Sequence, residues 1–245
     1  MSTLFYFQIE AREATAAARV NDIPVWRGEG VEMEGAGVCL NGLLKGDDRL
    51  DIVGAWPRGA EPGDGRLTFT LGGYAPGDIV GVDGDPILSD EILDATPDPR
   101  IAYQRRIATP VDNRWAWMDA PPVDAGVPGA VAFVEQIADA FRRGDAETVL
   151  GAMGPLLGDR PRAFPDDNVE AYIARLREAI TLPAFAGAPV PTPGEMVLRP
   201  AADGRLMEPL DRDGAPYIRK TLRGGEFYPL PILIGRHGPD WAIYR

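Results

Sequence analysis

His237 is the only imidazole in the chain and Cys39 the only thiol, and those two counts decide more chemistry than any motif. A His₃, Cys₄ or Cys₂His₂ zinc site needs three or four such ligands and cannot be assembled here within one chain. Serine occurs only as Ser2 and Ser89, neither within a G-x-S-x-G turn, so a serine triad would have to join Ser89 to His237 from opposite halves of the sequence. There is no P-loop and no G-x-G-x-x-G; Gly28-Glu29-Gly30 lacks the remaining glycine and the strand–helix context. Cys39 stands in an apolar run and reads as a small buried hydrophobe. Neither a metal nor a cofactor is expected.

Carboxylate, arginine and histidine chemistry in the C-terminal half remains. Candidates for acid–base work are His237, Asp240, Tyr217 and Tyr228, with Arg219 and Glu226 as candidate binding residues. His237-Gly-Pro-Asp240 lies at a turn, and two readings fit it. His237 is either a solvent-facing turn residue, with Asp240 closing the turn, or an acid–base group oriented by a carboxylate, since imidazole titrates near neutrality. Trp115 and Trp117 stand two apart, which in a strand turns both to one face. They read as core or interface residues, or else as an aromatic platform for a ligand or partner.

The elements that must carry these groups divide the chain in two. At 245 residues it suits two ordinary domains, and its many glycines and prolines, without any Gly-X-X period, mean tight turns and short strands. The net charge of -12 repels phosphate backbones, and Arg105–Arg106 or Arg142–Arg143 are too short to form a basic footprint. Nucleic acid is therefore excluded as an expected partner. Lysine occurs only as Lys45 and Lys220. No stretch approaches the ~20 apolar residues of a membrane span. The start lacks a basic region and meets charge early, so a cytoplasmic location is expected.

Before residue 110 no long helical period occurs. Leu4–Glu10 alternates as a strand. Ala16–Val20 and Val25–Arg27 read as a hairpin turning at Asn21-Asp22. Short strands are expected at Val31–Met33, Val38–Leu40, Arg49–Trp56, Arg66–Leu71, Asp78–Val82, Ile101–Ala108 and Arg114–Met118. Such a series between glycine-rich turns argues for an all-β sandwich or jelly roll over residues 1–119. The segments Ala18-Arg-Val-Asn-Asp-Ile-Pro-Val-Trp and Cys39-Leu-Asn-Gly-Leu-Leu-Lys-Gly-Asp-Asp-Arg-Leu-Asp-Ile-Val resemble the galactose-binding-like jelly-roll superfamily. The resemblance covers roughly residues 1–110, departs from the family where Asn21-Asp22 replaces Asn-Gly, and implies a packing or interaction module.

Ala120–Gly129 reads as a proline-stiffened linker. Beyond it, Val131, Val134, Ile137, Ala138 and Phe141 recur at helical spacing. Gly144 is placed to stop that helix, and Asp145 to cap the next, which turns Val149, Leu150 and Met153 inward. Gly158–Phe164 reads as a loop. Asp166, Asp167 and Asn168 precede a third helix with the stripe Val169, Tyr172, Ile173, Leu176 and Ile180, which Pro183–Gly194 ends. Strands follow at Glu195–Arg199, Leu206–Pro209, Pro216–Leu222, Phe227–Ile234 and Trp241–Tyr244, with turns at Asp203-Gly204 and Asp213-Gly214. Helices followed by an antiparallel meander, led by Phe133-Val-Glu-Gln-Ile-Ala-Asp-Ala-Phe-Arg-Arg-Gly-Asp-Ala-Glu-Thr-Val, resemble the NTF2-like (SnoaL-like) α+β cone superfamily over residues 130–245. That resemblance implies three helices on a curved sheet and a homodimer. A different helix-plus-antiparallel-sheet fold competes, because the family's early strands have no place between Met153 and Asn168.

The expected function is a binding or protein-interaction protein, acting on a protein partner or small-molecule ligand. The alternative is a cofactor-free isomerase, cyclase or hydrolase working in a pocket of the C-terminal domain.

Overall fold

The computed structural model describes residues 3–29, 33–57, 65–94, 99–123, 128–181, 195–221 and 227–245. The chain is a mixed α+β protein rich in antiparallel sheet, and it divides into two compact units. One unit comprises residues up to Arg114 together with Ala163–Asp166; the other comprises Trp115–Arg162 and Asp167–Arg245.

The first unit is built from eight strands: β1 (Leu4–Arg12), β2 (Thr15–Val20), β3 (Ile23–Glu29), β4 (Met33–Cys39), β5 (Asp47–Ala55), β6 (Arg66–Tyr74), β7 (Asp85–Leu93) and β8 (Arg100–Ala108). They form two four-stranded antiparallel sheets, ordered β4-β1-β6-β7 and β3-β2-β5-β8. Period-two alternation sends Phe5, Phe7 and Ile9 of β1 and Leu67, Phe69 and Leu71 of β6 to one side of the first sheet. Ala18, Val20, Leu50, Ile52 and Ile101 of the second sheet are buried in the same manner. The two sheets meet where the Phe69 and Tyr103 rings pack edge-on at 4.9 Å, and Tyr103 Oη donates to Asp90 Oδ2 at 2.9 Å.

The β2–β3 turn falls at Asn21-Asp22, as the sequence predicts, with both residues at positive φ. Asn21 and Asp22 tolerate that conformation because their short polar side chains bond locally. In the fold the Asn21 side chain bonds instead to distant segments in the interior: its Nδ2 donates to Leu43 O and to Asp48 Oδ1, while its Oδ1 accepts from Arg49 N. Asp48 is almost wholly buried and accepts further bonds from Lys45 N, Gly46 N and Thr109 Oγ1. Gly46, at φ +113, is required by this arrangement, since a Cβ there would lie 2.5 Å from Val111 O.

The second unit opens with a single helical turn, α1 (Ala116–Asp119), followed by α2 (Pro128–Arg143), α3 (Ala146–Ala152), α4 (Gly154–Ala163) and α5 (Val169–Thr181). Its strands are β9 (Val197–Ala201), β10 (Leu206–Leu210), β11 (Arg219–Thr221), β12 (Phe227–Pro229), β13 (Ile234–His237) and β14 (Asp240–Ile243). Four of them form an antiparallel sheet ordered β14-β13-β10-β9, and β11 with β12 forms a separate ladder. The α2–α3 hairpin matches its sequence signals. Gly144 takes φ +67, and Asp145 caps α3 by accepting from Thr148 N and Thr148 Oγ1. Val134, Ile137 and Ala138 pack against Met207, Ile218, Ile234 and Ile243. Asn168 caps α5 through Ala171 N.

Several expectations are corrected. Residues 158–163 are helical, in α4, although Pro161 lacks the N–H that an interior helical position uses. That adds a helix to the three expected. Arg114–Met118 is not a strand: Ala116–Asp119 is a helical turn, so Trp115 and Trp117 are not two positions on one strand face. Asp78–Val82 forms turns, and the strand lies further on, at β7. Val131 faces water, leaving Val134, Ile137 and Ala138 as the buried stripe. Cys39 is half-buried, with its Sγ donating to Asn41 Oδ1 at 3.4 Å. Residues 30–32, 124–127 and 182–194 of the expected Val31–Met33 strand, linker and Pro183–Gly194 segment lie outside the described residues.

Asp48→Ala orphans donors from three separate segments and is expected to cost about 3 kcal/mol or more. Asp48→Asn, which keeps an acceptor oxygen, should recover part of that loss. Denaturant midpoints of the two variants decide it, and an alanine variant as stable as the parent contradicts the assignment.

Candidate functional site

The segment between β6 and β7, Ala75-Pro-Gly-Asp-Ile-Val-Gly-Val-Asp-Gly84, holds three aliphatic side chains in water on a hydrogen-bonded frame. Ile79 is 63% exposed, Val80 37% and Val82 78%. Asp78 Oδ2 accepts from Ala75 N at 2.7 Å, and Asp83 Oδ2 accepts from Ile79 N at 2.9 Å. Val82 N and Asp83 N both donate to Ile79 O, at 3.1 and 2.9 Å. The loop is anchored to the sheet by Gly81 N, which donates to Tyr74 Oη at 3.2 Å. Tyr74 is itself buried, packed edge-on against Tyr6 and within 3.4 Å of Gln8 Oε1 through its hydroxyl. Gly81 sits at φ +88, and a Cβ there would come within 2.7 Å of the Gln8 amide. The positive φ is what favours glycine here, since the Gln8 side chain could swing aside.

Exposed single aliphatics are ordinary on protein surfaces; three within four residues on an ordered tip are not. Sequence reasoning missed them because Ile-Val-Gly-Val reads as strand. The available signal was density of turn formers: Pro76-Gly77-Asp78 and Asp83-Gly84-Asp85 bracket the four residues Ile79–Val82 on both sides.

The residues singled out from sequence lie in the second unit, and the structure does not gather them. His237 and Asp240 face each other across the two-residue Gly238-Pro239 turn of the β13–β14 hairpin, both exposed. The His237 ring lies edge-on to Tyr244 at 6.5 Å. Beside it, Arg236 donates to Pro239 O and stacks its guanidinium over Trp241 at 4.6 Å. Tyr217 is buried in the core against α2. Burial holds its phenol above the ordinary value of 10.0; Glu135 and Glu195 push the same way and Arg142 opposes them. A phenol so placed stays protonated at neutral pH and is a donor, not a base. Arg219 pairs with Asp211, whose carboxylate also accepts from Asp213 N and Ala215 N. Tyr228 lies in β12 opposite Lys220, and Glu226 lies outside the described residues. Trp115 and Trp117 are buried, and the Arg162 guanidinium lies 5.8 Å from the Trp115 ring centroid.

Among the described residues no three His, Cys, Asp or Glu side chains converge as metal ligands, and no helix is long and apolar enough to cross a membrane. Comparison with protein families, with curated proteins and with solved structures finds no match for the chain.

Because the folded state holds Tyr217 neutral, its contribution to stability is full below pH 10 and is lost as pH climbs from there toward the raised folded value. Tyr217→Phe should therefore flatten part of the alkaline fall in stability, read as unfolding midpoints at about pH 9 and about pH 11. An unchanged profile would place Tyr217 outside the buried environment described.

Proposed function

We propose that this chain acts by binding a protein partner, and that the β6–β7 loop is its docking element. The observation that carries the reading is the ordered exposure of Ile79, Val80 and Val82. Covering such a side chain is worth about 1.5–3 kcal/mol when it is fully buried, so three of them supply the apolar centre of an interface. Because the frame already fixes the loop backbone, little ordering entropy opposes binding. The flanking Asp78 and Asp83 spend their carboxylates on backbone amides and hold the tip in shape.

In this reading the first unit, with its strands before Arg114, forms a jelly-roll-like interaction module, supported by the two four-stranded antiparallel sheets. Residues 130–245 form an NTF2-like α+β domain, supported by the helix–Gly144-Asp145–helix start and the antiparallel strands after it.

A photo-crosslinking residue at position 82 should yield a discrete adduct in the native cells, and one at the exposed Glu170 position should not. Substituting Ile79→Ser in the same chain should suppress the adduct. Equal labelling from both positions, or none from position 82, would remove the loop as a docking element.

A further inference from the structure

We infer that the occupant of the β6–β7 loop is a second copy of this chain, docked through the outer face of the sheet β3-β2-β5-β8. The inference rests on the proposed docking role of the loop and adds the partner's identity.

The loop sets the requirement. Its aliphatic tip lies in a stretch, Leu67 to Pro99, that contains no lysine or arginine, and Asp78, Asp83 and Asp85 stand around the tip. A surface that covers Ile79 and Val82 must therefore be apolar at its centre and cationic at its rim. The chain as a whole is strongly acidic, which makes a patch of the opposite sign easy to recognise.

The outer face of the second sheet meets that requirement. Strand register aligns Arg27, Ala17, Val53 and Ala102 in one row across β3, β2, β5 and β8. Val53 is 52% exposed, and its small neighbours leave the row flat. Arg19, Arg49, Arg100 and Arg106 surround it, with Asp22 paired to Arg19, Asp51 to Arg49 and Asp47 to Arg106, so that arginines outnumber the carboxylates among them. Arg49 and Arg106 stand directly opposite each other in the ladder. Like charges in that position destabilise a sheet; Asp51 accepts from Arg49 and Asp47 from Arg106. An arriving Asp85, whose carboxylate is not part of the loop frame described above, would add a counter-charge beside Arg49 and Arg106 while Val82 covers Val53.

Loop and face lie on different surfaces of the same unit, so the contact is heterologous and propagates as a ring or an open chain of copies. Sedimentation velocity of the full chain should show reversible, concentration-dependent association that weakens as salt is raised. Val82→Asp and Val53→Asp should each weaken it by at least about tenfold. Both positions are exposed, so the two variants should melt with the parent; Val82→Thr and Val53→Thr serve if either does not. The decisive arm is the equimolar mixture. The first variant keeps an intact face and the second an intact loop, so two nearly monomeric proteins should combine into dimers and go no further. A parent monomeric at all concentrations, a mixture that stays monomeric, or a Val53→Asp variant that associates like the parent overturns the inference. A monomeric parent that still gives the Ile79-dependent adduct at position 82 would overturn only this inference and leave the loop as the docking site of a different protein.

Discussion

The Asp48 carboxylate is the constraint on which the first unit depends. It is almost fully buried, and it joins the β2–β3 turn, the Lys45–Gly46 backbone, the start of β5 and the exit of β8 at Thr109. A buried charge is tolerated only when its lone pairs are filled, so each of these segments has one permitted position relative to the others. Strand alternation then leaves no freedom in which face looks inward, because slipping the register by one residue would turn Leu50 and Ile52 to water. A fixed register is what places Val53 beside Ala17 and Ala102 and sets Arg49 against Arg106.

The β6–β7 loop shows the same economy at the surface. Two aspartates that an electrostatic reading would count as free charge are backbone acceptors, and a buried tyrosine hydroxyl holds the middle of the loop. The result is an apolar tip that keeps its shape in water. Such a tip gains little for the isolated fold, since Ile79 and Val82 keep most of their surface in water. Its use lies in association, where the fixed backbone removes most of the ordering cost.

Features encoded locally were legible in the sequence. The Gly144-Asp145 break, the Asn21-Asp22 hairpin and the His237–Asp240 turn each follow from residues whose backbone preferences are their own. The single strand expected over Phe227–Ile234 is instead broken, β12 ending at Pro229 and β13 starting at Ile234, because Pro229 and Pro231 have no N–H to continue a ladder. The failures have a common cause. In α4, Pro161 and a largely polar surface erase the helical period, and only tertiary context keeps the segment helical. Trp115 and Trp117 stand at strand spacing in the sequence, but the helical turn that Trp115 opens buries both. Around Ile79–Val82 apolar letters implied pairing, but the flanking turn residues leave no partner strand in reach. The candidate site is therefore hidden by its own composition, while the titratable residues of the second unit that stand out in the sequence are not assembled by the fold.

Amide hydrogen exchange across residues 75–84 of the isolated protein tests the central claim most directly, because an exposed tip on a fixed frame differs from a floppy apolar loop in its backbone and not in its solvent contact. The Ala75, Ile79, Gly81, Val82 and Asp83 amides each donate to a named acceptor and should exchange far more slowly than in an unstructured peptide. Exchange at unstructured-peptide rates through the whole segment would contradict the account, since a loop without its frame has no advantage over any other exposed stretch of chain.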